Sequence, residues 1–395
     1  MSASPTTDIP DDPVFSVLRA AARHDYDSSA YRWVSGLDPV TLTTASGSHG
    51  VDHLMLPFMK AVAPDHATVP ILQKRNNDSA RFHLRSLAAL RAAGLALTDA
   101  GVNHVAFKGP ILATLTPSTS SRGYSDLDLM VSPQNLGRAV SVLEGAGASL
   151  SPGAGWKRLL KTAHAQVPMV LPLSVPLDLH WHLCSQPHMR RAFTVEPADA
   201  LIDRSITMDT AAGPARVLGW NDMLVHTASH AGWSGGDRLG WLADVDAVVR
   251  SGCVDWDIVV VTTRAWGLSA LVGDILRRTC EALDTPIPVE VISALRGGGL
   301  GALLRSTERL IPMTSERNTR SARRMLRMDV RSGMASTLGA LTRRTGAAAA
   351  RRARQRSLDP IDVGEPRPAD DEDWRQPYFA FALSESSATQ RANRS

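Results

Sequence analysis

The sequence predicts an α+β protein: a small mixed β-sheet core flanked by helical regions on its N- and C-terminal sides. Three observations carry this. Residues 13–101 keep a helical apolar spacing. Between 102 and 186 short runs with alternating polarity are separated by helix-length segments. From 187 to 300 the helical spacing returns.

The elements follow in order. Residues 1–12, "MSASPTTDIPDD", are acidic and proline-bearing and read as a disordered leader, not a secretion signal. "VFSVLRAAARHD", "HLMLPFMKAVA" and the long Ala/Leu/Arg-rich run ending at Gly101 read as helices. "HVAFKG" is a short strand closed by Gly109, and "ILATLT" starts a helix. "SDLDLMV" alternates as a strand. "PQNLGRAVSVLEGAG" is a helix, with Pro133 in its first turn. "AQVPMVLP" and "VPLDLHWHL" complete the strands of the 102–186 core. "WNDMLVHTASHAGW", "RLGWLADVDAVVRSG" and the segments to about 300 are helical again. Residues 301–356 hold an Arg-rich helix or linker, and 357–395 read as a disordered tail apart from the apolar patch "WRQPYFAFAL".

Bulk composition narrows the class. The chain has 395 residues and 44% apolar content, enough for a sizeable core. Its three cysteines, Cys184, Cys253 and Cys280, are far apart and odd in number, so neither a disulfide framework nor a zinc knuckle is expected. With no apolar run of membrane-spanning length, a cytoplasmic protein is expected, with no membrane partner. The formal charge is +4. Fourteen arginines against three acids between 305 and 356 raise nucleic-acid contact through 317–356 as a possibility. No aromatics interleave them, and a solvated basic helix is the expected reading.

The chemistry sits in the core. On a strand, residues two apart face the same way. Asp126 and Asp128 therefore share one face of "SDLDLMV", and Asp178, His180 and His182 share one face of "LDLHWHL". Converging carboxylates repel each other, and a divalent cation resolves the repulsion. Oxygen ligands suit Mg²⁺ or Mn²⁺. Such ions serve in-line phosphoryl or nucleotidyl displacement. Around the pair lie groups suited to phosphates: Lys108 and Gly109 at the end of the preceding strand, and Arg122 with small hydroxyls and a glycine in "SSRGYSD".

The ordered set "AFKGPILA", "RGYSDLDLMV", "LDLHWHL" and "HTASHAGWSGGDRLGWLADV" resembles the poorly characterised nucleotidyltransferases of the DNA polymerase β superfamily, over about residues 70–250. The wider superfamily usually has Gly-Ser in the turn where this chain has Lys-Gly. The resemblance implies a nucleotidyltransferase core. It implies that Asp126 and Asp128 bind Mg²⁺ or Mn²⁺, with Asp178 as third carboxylate, metal ligand or base. It also implies that Lys108, Gly109, Arg122 and Ser125 line the phosphates of an NTP. The acceptor stays open: a small molecule, a peptide or a protein. His180, His226, His230, Arg238 and Asp244 are candidates for supporting the site or binding the acceptor.

Two other readings compete. His226 and His230 stand four apart on a helix, a spacing at which two imidazoles can share a metal. With Asp244 they would make a metal-dependent hydrolase. Alternatively the chain is a catalytically inactive nucleotidyltransferase fold that serves as a binding protein.

Overall fold

The structure, a computed structural model, describes residues 12–27, 29–116, 122–296, 313–316 and 371–392. The Arg-rich 317–356 segment lies outside the described residues, as does most of the N-terminal leader.

Five helices and a 3₁₀ turn precede the second strand. α1 (Pro13–Ala22) begins where the Asp12 carboxylate accepts the Phe15 N–H at 2.9 Å, with Pro13 at its first position. α2 (Pro39–His49) starts the same way, capped by Asp38. α3 (Asp52–Val62) and the 32-residue α4 (Thr68–Asp99) follow. α4 packs against the sheet, and its buried residues include Leu87, Leu90, Ala93 and Leu97 at helical spacing.

β1 (His104–Phe107) leads into α5 (Gly109–Leu115), and β2 (Leu127–Val131) into α6 (Leu136–Gly145). β3 (Ser149–Leu150), α7 (Trp156–Thr162), β4 (Gln166–Leu171) and β5 (Val175–His180) complete the expected core. The short α8 (Pro187–Ala192) and α9 (Ala198–Asp203) come next. A hairpin follows, β6 (Ile206–Thr210) and β7 (Gly213–Val217), and then α10 (Trp220–Trp233), α11 (Leu239–Arg250), α12 (Trp256–Ala265), α13 (Ser269–Leu283) and α14 (Val289–Ala294). The last described helix is α15 (Arg375–Ala392).

The seven strands form one mixed sheet in the order β3-β4-β5-β2-β1-β7-β6. β2 runs parallel to β5 and antiparallel to β1. The mixed α/β architecture with flanking helices is therefore the one the sequence predicts. Two features differ from expectation. The β6–β7 hairpin lies in the region read as helical, and β7 adds to the sheet parallel to β1, with Ala106 opposite Val217. Its text, "ITMDTAAGPARV", alternates, but its outward positions carry Thr, Asp and Arg and only Val217 is fully buried. The apolar signal is weak beside the helices around it.

The tail is the second difference. The segment from 371 is ordered onto the core, because the apolar patch noted in the sequence has a place to go. Tyr378, Phe379 and Ala382 are buried, and the Tyr378 and Phe379 rings pack against Trp156. Burying side chains of this size contributes about 2–3 kcal/mol each, enough to hold a helix that has little moment of its own.

Candidate active site

β2 and β5 are neighbours in register, and Asp128 stands directly opposite Asp178. The alternation that places Leu127 and Leu129 in the core therefore sends both carboxylates to the same face. Asp126 lies one residue before β2 and lines the same cleft. Asp128, Asp178 and His180 each offer one ligand atom within 4.8 Å of the others.

Each carboxylate is held differently. Asp128 is buried. Its Oδ1 accepts from Lys108 Nζ at 2.8 Å and lies 3.0 Å from His180 Nε2. Burial opposes its ionisation, but Lys108 and His180 overcome this and hold its pKa well below the ordinary carboxylate value. Asp178 accepts at Oδ2 from Gln166 Nε2 at 2.7 Å. Its pKa is raised, first by burial and then against the pull of His180 by the charge of Asp128. Asp126 has one weak partner, the Ser125 hydroxyl at 3.3 Å. Burial, followed by repulsion from Asp128 and Asp178, pushes its pKa up. The gathered donors are two carboxylates and an imidazole, Asp128, Asp178 and His180, and the charge of Asp126 adds to the repulsion between the carboxylates. An oxygen-rich donor set of this kind fits a hard divalent cation.

This repulsion predicts a stability effect. A carboxylate whose folded pKa is raised favours the fold most below its unfolded pKa. That benefit is lost as pH rises through the folded value. In metal-free protein, with chelator present, Asp126→Asn is therefore expected to raise the thermal midpoint at pH 7, on the order of 1–2 °C. The gain should fade below pH 3.8, the ordinary value. Calorimetric scans across that range check it.

The turn after β1 is unusual. Lys108 has φ 56° and ψ −138°, a conformation L-residues rarely adopt, which costs on the order of 1–3 kcal/mol. Gly109 follows at φ 21°, and a Cβ there would lie 3.0 Å from the Asp126 carbonyl oxygen. The strained turn thus brings the Lys108 ammonium onto Asp128 and the Gly109 backbone against Asp126. Lys108 is neither a free surface charge nor, in this structure, aimed away from the carboxylates.

Arg122 lines the cleft, and its guanidinium is spoken for. It donates bidentately to Asp244, with Nη2 at 2.6 Å from Oδ2 and Nε on Oδ1. Nη1 reaches the Gly109 carbonyl at 3.4 Å. Burial works against the Arg122 charge, Asp244 more than restores it, and its pKa rises. Arg238 stands at the N-cap of the helix that carries Asp244. The two are six residues apart, about 240° around a helix axis, so they face different ways. The Arg238 guanidinium lies 5.4 Å from the Trp241 ring centre instead.

His226 and His230 are on α10, with ring centres 6.3 Å apart. His226 is buried, His230 is half-buried and lines the cleft, and both are held neutral. Burial, with Lys108 nearby, lowers His230 to about 3 and His226 well below its ordinary value. His226 packs edge-on against Phe107, which also touches His180. Among the described residues the two imidazoles do not gather with Asp244 into a metal group, and Asp244 is held by Arg122. The hydrolase constellation is therefore not assembled. His182 is structural, its Nδ1 accepting the Cys184 N–H at 2.9 Å.

The cleft has a volume of about 470 Å³. The core wall is Lys108, Gly109, Tyr124, Ser125, Asp126 and Asp128. The opposite wall comes from the helices: Asp52 and His53 of α3, Asn76 and Ser79 of α4, and His230, Arg238 and Trp241. Sequence reasoning missed Gln166, the partner of Asp178. Nothing in a single sequence marks a glutamine at a strand start as a carboxylate's donor.

The family profile described as "uncharacterised nucleotidyltransferase" matches residues 43–284, more than half of the chain. The chain belongs to this nucleotidyltransferase family. The match runs from α2 to the end of α13 and takes in every residue of the cleft. No curated protein sequence matches this nucleotidyltransferase. Among solved structures, the solution structure of the antibiotic-resistance factor ANT(2'')-Ia is similar at 13% identity and a TM-score of 0.29. The alignment covers 58% of this nucleotidyltransferase and 95% of that chain. Among the described residues no helix is long and apolar enough to cross a membrane.

Proposed function

We propose that the protein transfers a nucleoside monophosphate from an NTP to an acceptor, with Mg²⁺ or Mn²⁺ as cofactor and pyrophosphate as the second product. The observation that carries this is the in-register pair Asp128 and Asp178 with Asp126 beside it, three mutually repelling carboxylates of which Asp126 and Asp128 line the cleft. Asp126, Asp128 and Asp178 would hold the metal, which supplies charge neutralisation at the α-phosphate.

The chain's own groups do the rest. Lys108, the Gly109 turn and Ser125 line the phosphate side, and Arg122 shapes that wall while bound to Asp244. An acceptor hydroxyl oxygen attacks the α-phosphorus in line. The bond from that phosphorus to the bridging oxygen breaks, and pyrophosphate leaves with the electron pair. Gln166 occupies Asp178 Oδ2, which leaves Oδ1 either to hold the metal or, where Asp126 and Asp128 hold it, to take the acceptor's proton. The raised pKa of Asp178 suits that task. The α3, α4 and α11 side of the cleft receives the acceptor. The three cysteines are unpaired, which supports the expected cytoplasmic setting.

The test is to incubate the protein with labelled NTPs, Mg²⁺ and a panel of small-molecule, peptide and protein acceptors, following pyrophosphate. Metal-dependent release is expected. Turnover that persists unchanged in the Asp126→Ala/Asp128→Ala protein would sink the mechanism. Salt-sensitive binding of a macromolecule without any NTP binding would favour an inactive binding protein.

A further inference from the structure

The Tyr378 hydroxyl reaches the strand pair that carries Asp178. It donates to the His164 carbonyl at 2.9 Å, lies 3.3 Å from the Gln166 carbonyl, and accepts the Trp181 indole N–H at 3.0 Å. Its ring is fully buried. These contacts join the start of β4 to the end of β5. The ladder continues beside them, from the Trp181 N–H to the Ala165 carbonyl at 3.1 Å.

Both strand ends lead directly to the site. Gln166, whose carbonyl faces the hydroxyl, holds Asp178 with its side chain and stands opposite His180 in the β4–β5 register. Trp181 follows His180, which contacts Asp128. Residues in succession along a strand face opposite ways. Trp181 and Tyr378 therefore lie behind the sheet from the carboxylates.

We propose that Tyr378, on the C-terminal helix, is a positioning residue for Asp178: its hydroxyl fixes the backbone from which Gln166 and His180 hold the two carboxylates. The role of Asp178 rests on the function proposed above. The ring alone would suffice for docking, since α15 has other anchors. Asp371 accepts the N–H groups of Trp156 and Lys157 at 3.0 and 3.2 Å, Arg375 pairs with Glu144 at 2.6 Å, and Phe379 packs on Trp156. Those anchors attach to α6 and α7. The hydroxyl is directed at β4 and β5, where it meets two carbonyls and an indole N–H buried behind the sheet.

The test compares the full chain with Tyr378→Phe, which keeps the ring, and Phe379→Leu, which weakens docking without touching β4 or β5. Three quantities are read: hydrogen exchange of the Gln166 side-chain amide by NMR, Mn²⁺ affinity by calorimetry, and kcat and KM for nucleotide transfer. In Tyr378→Phe, amide exchange should rise about tenfold and Mn²⁺ affinity fall about tenfold, the scale of one net hydrogen bond. kcat should fall more than the KM for NTP changes. Phe379→Leu should lower the thermal midpoint with none of these effects. Unchanged Gln166 exchange in Tyr378→Phe, or equal changes in both variants, overturns the proposal. If the wild-type chain neither binds Mn²⁺ nor transfers nucleotide, the proposed function fails, and Gln166 exchange alone decides whether Tyr378 positions the strand pair.

Discussion

Asp128→Asn should lower the rate of nucleotidyl transfer at least about 10³-fold, roughly 4 kcal/mol of transition-state stabilisation. The substitution keeps shape and removes charge. Asp128 is the hub of the site: Lys108 and His180 both contact its Oδ1, and Asp178 faces it across the β2–β5 pair. Without the charge the cluster loses its most firmly ionised ligand, because Asp126 and Asp178 are the carboxylates whose pKa values are raised. The Lys108 ammonium is also left without its partner. Calorimetric titration with Mn²⁺ should show affinity lost together with rate. A variant with near wild-type turnover would remove Asp128 from the chemistry.

The second large effect concerns the fold. Arg122→Ala is expected to destabilise the protein by about 3–5 kcal/mol, the usual result of stranding one member of a buried ion pair. Arg122 and Asp244 are both largely buried, and the bidentate pair spans 122 residues of sequence. Asp244→Ala should cost a similar amount. The double variant Arg122→Ala/Asp244→Ala should cost less than the sum of the two single changes, because no charge is left uncompensated. Denaturant unfolding of the four proteins measures the coupling directly. Strict additivity of the single effects would mean the pair contributes nothing as a pair.

The sequence carried the site further than it carried the partners. Period-two alternation around Asp126, Asp128, Asp178 and His180 is a local signal, and the strand backbone obeys it. The opposition of Asp128 to Asp178 is tertiary, because strand register depends on packing elsewhere in the sheet. Gln166 was invisible for the same reason. Arg122 was read as a phosphate ligand and found on Asp244. Its neighbours in sequence describe a loop, and its partner lies on a helix far along the chain. In contrast, the poor fit between Arg238 and Asp244 was legible in principle from helix angles alone. The tail shows the converse. The tail was read as disordered apart from the patch "WRQPYFAFAL", and within that patch Tyr378 and Phe379 pack on Trp156 of α7.

The parallel pairing of β1 with β7 bears on how the chain acquires its shape during synthesis. Ala106 meets Val217 only after the ribosome has delivered more than a hundred further residues. The segment 102–186, self-contained by inspection, emerges with one edge of β1 open. Arg122 likewise waits for Asp244. Closing such distant contacts is slow, because the entropic cost precedes the reward. A nascent chain of this protein is therefore expected to expose a bare strand edge, the kind that invites misassembly, until the hairpin arrives to cover it.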